Sequence, residues 1–208
     1  MRLACLISGG GRTLLNLANR ITDGTLECSI ELVIASRPGV GGIERARQCG
    51  FEPRIAHASE QGSVDAAHDA MMRWVEEADV DLVCLCGWLR KVRMDAPLKG
   101  RTINIHPALL PDFGGPGMYG ERVHRAVLAA GRSFSGCTVH FVDDQYDHGP
   151  IILQRACPVR PGDDVPALAA RVFEQECIAY PQAIRLIAAG RVRLEGERVV
   201  IAPTTEAG

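Results

Sequence analysis

Aromatic residues make up only 5% of the 208 residues, and neither sign of charge dominates, the formal net charge being -2. A near-neutral balance leaves no electrostatic footprint for nucleic acid or an anionic membrane surface, both of which call for a basic excess or patch. No run of about 18 successive apolar residues occurs, so no membrane-spanning helix is expected. The eight cysteines include no CxxC pair, and the chain opens with no charged, apolar and cleavable leader pattern, so reduced thiols in the cytoplasm are the expectation. Cys84 and Cys86 lie in the apolar run Asp81-Leu-Val-Cys-Leu-Cys-Gly87, where cysteine behaves as a small hydrophobe. His57, His68, His124, His140 and His148 show no ligand spacing, and no metal is expected. Gly-x-Ser-x-Gly is also missing, which argues against a serine acyl-enzyme. Small-molecule substrates remain as the expected partners.

Enough hydrophobic residues are present (47%, against 23% charged) for the chain to fold by itself. Its length suits one substantial α/β domain, assigned here to residues 1–202, with 203–208 as a frayed tail. Short apolar runs alternate with helical patterns, the signature of βαβ units. Strands are expected at 2–8, 31–35, 81–86, 101–106, 136–142 and 150–156. Helices are expected at 12–21, 43–49, 63–78, 122–130 and 165–189, the last broken or kinked near Pro181. A hairpin turning at Glu195-Gly196 joins 191–194 to 198–201. The fold class is therefore α/β, a Rossmann-like, doubly wound and mostly parallel sheet with a C-terminal antiparallel extension. Residues 107–120, rich in proline and glycine, read as a long ordered loop.

Ser8-Gly-Gly-Gly-Arg-Thr13 falls between the first strand and the first helix, where backbone N–H groups and a helix dipole suit a phosphate, with Arg12 as an added charge. The dinucleotide fingerprint wants glycine at Leu14 and an acidic residue where Ser36-Arg37 stand, which disfavours NAD. Arg37 leaves NADP open, so a nonenzymatic dinucleotide-binding module stays as an alternative. A tight turn that needs glycine only for positive φ is the plainer reading, and a single phosphomonoester is preferred to it.

In Thr102-Ile-Asn-Ile-His-Pro107 the period of two puts Asn104 and His106 on one strand face, at the strand end where open α/β sheets bind ligands. Asp147, in the turn-rich Tyr146-Asp-His-Gly-Pro150, reads from spacing alone as an ordinary turn aspartate. An amide, an imidazole and a carboxylate together would suit acyl transfer: the first two can donate to a developing oxyanion, the third can orient the imidazole or accept a proton. No cysteine neighbours these residues in sequence, so direct transfer between two bound substrates fits better than a covalent intermediate.

Asn104-Ile-His-Pro-Ala-Leu-Leu-Pro111, followed by Tyr146-Asp-His-Gly-Pro-Ile-Ile-Leu-Gln154, resembles the signature of the 10-formyltetrahydrofolate-using formyltransferases. Likeness to their glycinamide ribonucleotide branch extends through Leu6-Ile-Ser-Gly9, Glu44-Arg-Ala-Arg-Gln48, Gly87-Trp-Leu-Arg90, Gly136-Cys-Thr-Val-His-Phe-Val142, Ala170-Arg-Val172, Glu174-Gln-Glu176 and Tyr180-Pro181. The resemblance implies a catalytic trio of Asn104, His106 and Asp147. It implies that Gly10, Gly11, Arg12 and Thr13 hold the substrate phosphate and ribose, and that Glu176 meets the amine. The pterin of the co-substrate would lie against Leu89, Arg90, Lys91 and Val92 and against Asp143, Asp144 and Tyr146. Asp147 would favour the charged form of His106. Arg12-Thr13 stands where many members have Ser-Asn, Phe173 where they have a basic or amide residue, and Val64 where some have arginine, so the phosphate grip must be built differently. Of the rivals, methionyl-tRNA formyltransferase needs a further C-terminal domain and a basic surface, and formyltetrahydrofolate hydrolase an extra N-terminal domain. Formyltransferases of amino sugars remain as an alternative, and the protein is expected to be a monomer or homodimer.

Overall fold

The computed structural model describes residues 1–95, 98–196 and 198–203. Contacts divide the chain into two compact units, Met1–Ile105 with Val142–Asp144, and His106–Phe141 with Gln145–Gly208.

The first unit alternates strands and helices: β1 (Arg2–Ile7), α1 (Arg12–Thr22), β2 (Ser29–Ala35), α2 (Gly41–Gln48), β3 (Arg54–Ile55), α3 (Ala58–Gln61), α4 (Val64–Glu77), β4 (Leu82–Leu85) and β5 (Thr102–His106), whose last residue begins the second unit. The strands run parallel in the order β3-β2-β1-β4-β5. Parallel strands covered on both faces must be apolar throughout, which is why Leu3 to Ile7 and Leu82 to Leu85 are continuous buried runs. Ala4, Leu6, Leu32, Ile34, Val83 and Leu85 share a cluster with Met71 and Val75 of α4. Leu3, Cys5 and Ile7 alternate to the opposite face of β1. Ser63 caps α4, its hydroxyl accepting from the Ala66 N–H at 3.0 Å.

β3 and α3 were not expected. Two residues at a sheet edge and a single helical turn are too short for periodicity to register.

The second unit holds α5 (Glu121–Ala129), β6 (Phe134–Phe141), β7 (Ile151–Pro158), α6 (Val165–Ala188), β8 (Val192–Glu195) and β9 (Arg198–Ile201). β6 and β7 pair antiparallel with an irregularity at Val139/His140, and β8 and β9 form the expected hairpin. Asp164 caps α6 through the Ala167 N–H at 2.8 Å. α6 packs on β6, β7 and α5. Its apolar stripe is Leu168, Val172, Ala179, Tyr180, Ala183 and Ile184. Of the break or kink expected near Pro181, the break does not occur: the helix runs continuously from Val165 to Ala188. Pro181 forgoes one helical hydrogen bond, and the buried stripe on either side of it holds the helix together.

The mostly parallel α/β class with an antiparallel C-terminal part is thus the observed one. No helix is long and apolar enough to cross a membrane among the described residues. Of the expected frayed tail 203–208, residues 204–208 lie outside the described residues.

Candidate active site

Pro107 ends β5 and leaves His106 as its last residue, 3% exposed, with the half-buried Asn104 two positions earlier on the same strand face. The imidazole Nε2 lies 2.8 Å from the Phe113 carbonyl oxygen. A carbonyl only accepts, so this nitrogen carries the proton. On the other side of the ring, Nδ1 is 3.4 Å from Asp147 Oδ2. Burial is the largest influence on His106 and holds its pKa below the ordinary imidazole value, against the opposing pull of Asp147 and of the Phe113 carbonyl. Asp147 therefore acts in the direction expected of it, but burial outweighs it and the neutral ring is favoured. A charge-assisted N–H to carboxylate bond would be about 2.7–2.9 Å. The longer separation at Nδ1 agrees with a ring protonated at Nε2 only.

The backbone around this pair is unusual. Phe113 has φ 56° and Asp147 φ 54°, left-handed values that aspartate tolerates and phenylalanine adopts only under constraint. Asp147 Oδ2 accepts from the Gly115 N–H at 3.0 Å. A Cβ at Gly114 would stand 2.5 Å from Leu110 Cδ2 and 3.2 Å from Asp147 Cβ, so a larger residue would have to displace the Leu110 side chain. Thr138 and Gln154 tie down the start of the loop. The Thr138 hydroxyl accepts from the Leu110 N–H (3.0 Å) and donates to the Ala108 carbonyl (2.7 Å), while Gln154 Nε2 donates to the Leu110 carbonyl (2.9 Å) and to the Thr138 hydroxyl (2.8 Å).

Two further histidines belong to this neighbourhood, neither singled out by the sequence pattern. Buried His140 holds its Nδ1 proton against the Phe141 carbonyl at 2.7 Å and places Nε2 3.8 Å from Asp147 Oδ1. His124, buried on α5, leaves Nδ1 without a hydrogen-bond partner. Its pKa is lowered, chiefly by burial and then by the field of His106. The β-strand alternation that buries His140 and the helical face that buries His124 were legible, but not what they would meet. Thr138 and Gln154 stood inside the quoted motifs, with no role that spacing could supply.

In the first unit the glycine turn is built by close backbone approach. Gly11 is the N-cap of α1 at φ 73°, and a Cβ there would lie 2.8 Å from the Cα of Gly42. The Gly42 N–H donates to the Gly9 carbonyl at 2.9 Å, and Arg45 of α2 donates to the Gly10 carbonyl. Arg12, exposed, and Thr13 open the first turn of α1, which contains no acidic residue. Arg45 is the cation that sequence reasoning passed over, although it sits in the quoted Glu44-Arg-Ala-Arg-Gln48.

Ser8 joins this turn to the segment after β4, its hydroxyl accepting from the Leu89 N–H at 3.0 Å. Arg90 donates to the carbonyls of Ala56 (2.5 Å) and Ser36 (3.3 Å), at the ends of β3 and β2. A concavity of about 330 Å³ opens there, lined by Ser8, Arg37, His57, Val64, Leu89 and Arg90 among others, with arginines and no carboxylate. Lys91 is exposed, whereas the Val92 side chain is in the core and leaves only backbone for a ligand. Asp143 is half-buried and Asp144 exposed in this unit; in the other unit Tyr146 is exposed. Glu176 lies half-buried on α6, near enough to Cys137 that its charge adds to burial in pushing that thiol up to about 12.

The formyl transferase family matches residues 1–184. The chain belongs to the formyl transferase family. Among solved structures, glycinamide ribonucleotide transformylase 1 from Symbiobacterium toebii is 40% identical at a TM-score of 0.90, covering 98% of this chain and 94% of that one. The phosphoribosylglycinamide formyltransferase from Coxiella burnetii is 32% identical at 0.88, covering 97% and 93%. The chloroplastic phosphoribosylglycinamide formyltransferase of Arabidopsis thaliana is 34% identical over 195 residues, 92% of this chain and 67% of that protein. Similarity also extends to the trifunctional purine biosynthetic protein adenosine-3 of Gallus gallus, 39% identical over 196 residues, of which this chain spans 19% of the length.

The fold brings His106 and Asp147 together and keeps Asn104 on the strand that delivers His106. Among its described residues, no three histidines, cysteines or acids are grouped to hold a metal ion.

Proposed function

We propose that this chain transfers the formyl group of 10-formyltetrahydrofolate to the amine of glycinamide ribonucleotide, a step of purine biosynthesis. The observation that carries the reading is the buried His106, with Nε2 2.8 Å from the Phe113 carbonyl and Nδ1 3.4 Å from Asp147. Membership of the formyl transferase family and the near-complete overlap with glycinamide ribonucleotide transformylases support the choice of substrates.

The amine attacks the formyl carbon directly, and the carbonyl oxygen becomes an oxyanion. The Asn104 amide and the His106 Nε2–H donate to that oxygen, which takes the place that the Phe113 carbonyl holds on this N–H in the resting site. Asp147 orients the ring and, with His106, relays the proton lost by the amine to the departing folate nitrogen as the old carbon–nitrogen bond breaks. Glu176 meets the amine. Gly10, Gly11, Arg12 and Thr13 hold the phosphate and ribose, with Arg45 bracing the turn from behind. Leu89, Arg90, Lys91 and the backbone of Val92, together with Asp143, Asp144 and Tyr146, receive the folate, which serves as co-substrate without a metal. Residues 1–202 act as one domain, as a monomer or homodimer in the cytoplasm.

The test is to mix the protein with glycinamide ribonucleotide and 10-formyltetrahydrofolate and follow loss of the formyl folate. Turnover that requires the ribonucleotide is the expected result. No turnover with that pair, turnover that proceeds equally without the ribonucleotide, or formylation of an amino sugar nucleotide instead would overturn it. Tight NADPH binding without folate binding would point to a dinucleotide module.

A further inference from the structure

The residue whose carbonyl receives the His106 proton is itself held from outside the site. Phe113 sits in the left-handed region at φ 56°, a conformation that a non-glycine residue keeps only where surroundings impose it. Phe113 borders an open concavity of about 260 Å³, shared with Val127, Arg132, Phe134 and Ser135. What stands against the ring is Arg132, its guanidinium carbon 5.6 Å from the ring centroid, and Arg132 is paired in turn with Asp112 at 2.8 Å. The arginine follows the turn that ends α5, and its side chain reaches Asp112 and Phe113.

We propose that Arg132 is a positioning residue for the reaction: stacked on Phe113 and anchored by Asp112, it keeps the Phe113 carbonyl on His106 and so keeps the transferable proton on Nε2. This rests on His106 acting in the formyl transfer proposed above. Without Arg132, Phe113 relaxes toward the open concavity, the carbonyl withdraws, and the neutral ring moves its proton to Nδ1, where the Asp147 carboxylate is the acceptor left. Nε2 then meets the formyl oxygen as a lone pair and no longer as a donor. Either an exposed ion pair or an exposed cation–π contact is weak by itself. Their effect here comes from aiming one hydrogen bond.

Nitrogen-15 NMR of the histidine rings, read in the wild type and in Arg132→Ala, tests the claim without using activity. The wild type should show His106 protonated at Nε2 and the variant should show the proton shifted to Nδ1. In turnover, Arg132→Ala should lower kcat by about tenfold, the equivalent of one ordinary hydrogen bond, with KM for both substrates within about twofold. Phe113→Leu should lower kcat by a similar factor, and the double variant should be no worse than either single one, since both remove the same constraint. Both side chains of the ion pair are more than half exposed, so folding should survive. An unchanged tautomer in Arg132→Ala, a loss confined to KM, or strictly additive effects in the double variant would overturn the proposal. His106→Ala run in parallel separates the two ideas: full turnover there would remove His106 from the chemistry, while the NMR result would still decide what Arg132 does to the ring.

Discussion

The turn after β1 and the loop after β5 are both glycine-rich, and both follow a buried parallel strand, yet glycine answers a different demand in each. At the first turn the demand is backbone against backbone: Gly11 presses on Gly42, and the result is a helix start flanked by Arg12 and Arg45, with no acid in its first turn. In the loop the demand is backbone against side chain, since Gly114 makes way for Leu110 and Asp147. The first arrangement offers fixed N–H groups and positive charge, suited to holding an anion that does not react. The second encloses an imidazole and a carboxylate where their protonation depends on burial and on single hydrogen bonds. In the proposed function, similar composition thus serves a holding element at one place and a reacting element at the other.

Substitutions at the two places should separate along that line. The largest effect is expected for His106→Ala, which should lower kcat by about 10²–10⁴-fold while KM and the thermal midpoint stay near wild type, as steady-state kinetics and a melting scan would show. A rise in KM with kcat preserved would mean that the loop, too, only holds. Next comes Gly11→Ala, which forces a side chain into a left-handed residue and onto the Gly42 backbone, and should destabilise the protein by about 2 kcal/mol or more in urea titration. Unaltered stability would show that the turn has slack the geometry denies. Smaller again is Arg45→Ala, expected to raise KM for the phosphate-bearing substrate by about three- to tenfold with kcat unchanged.

The smallest effect concerns pH. His106 and His124 have pKa values below the ordinary imidazole value when folded, so the unfolded chain binds more protons once the pH falls below that value. Their contribution to stability is complete above about pH 6.5, the unfolded imidazole value, and is lost as the pH falls toward their folded values. Thermal midpoints measured from pH 7.5 to 5 should fall for the wild type and fall less steeply for His124→Gln. Equal slopes would place the acid sensitivity elsewhere.

Local chemistry decided much of this protein in advance. Buried apolar runs alternating with amphipathic stretches specify parallel strands and covering helices, because periods of 2 and 3.6 act over a few residues. The same short-range logic delivers Asn104 and His106 to one strand face and stops the strand at Pro107. It does not reach β3 or α3, which are too short to repeat a pattern, nor the unbroken course of α6 through Pro181, where packing on both sides outweighs one missing bond. Asp147 was visible only as a turn residue or through family likeness; its place 3.4 Å from His106 comes from the fold, which brings distant segments together. Tertiary structure alone set the protonation of His106, because burial, a carboxylate and one backbone carbonyl compete there and none of the three can be read from neighbouring letters. The partnerships of Arg45 with Gly10 and of Arg132 with Phe113 belong to the same class: long side chains reaching across the fold carry no periodic signal, and only packing determines what they touch.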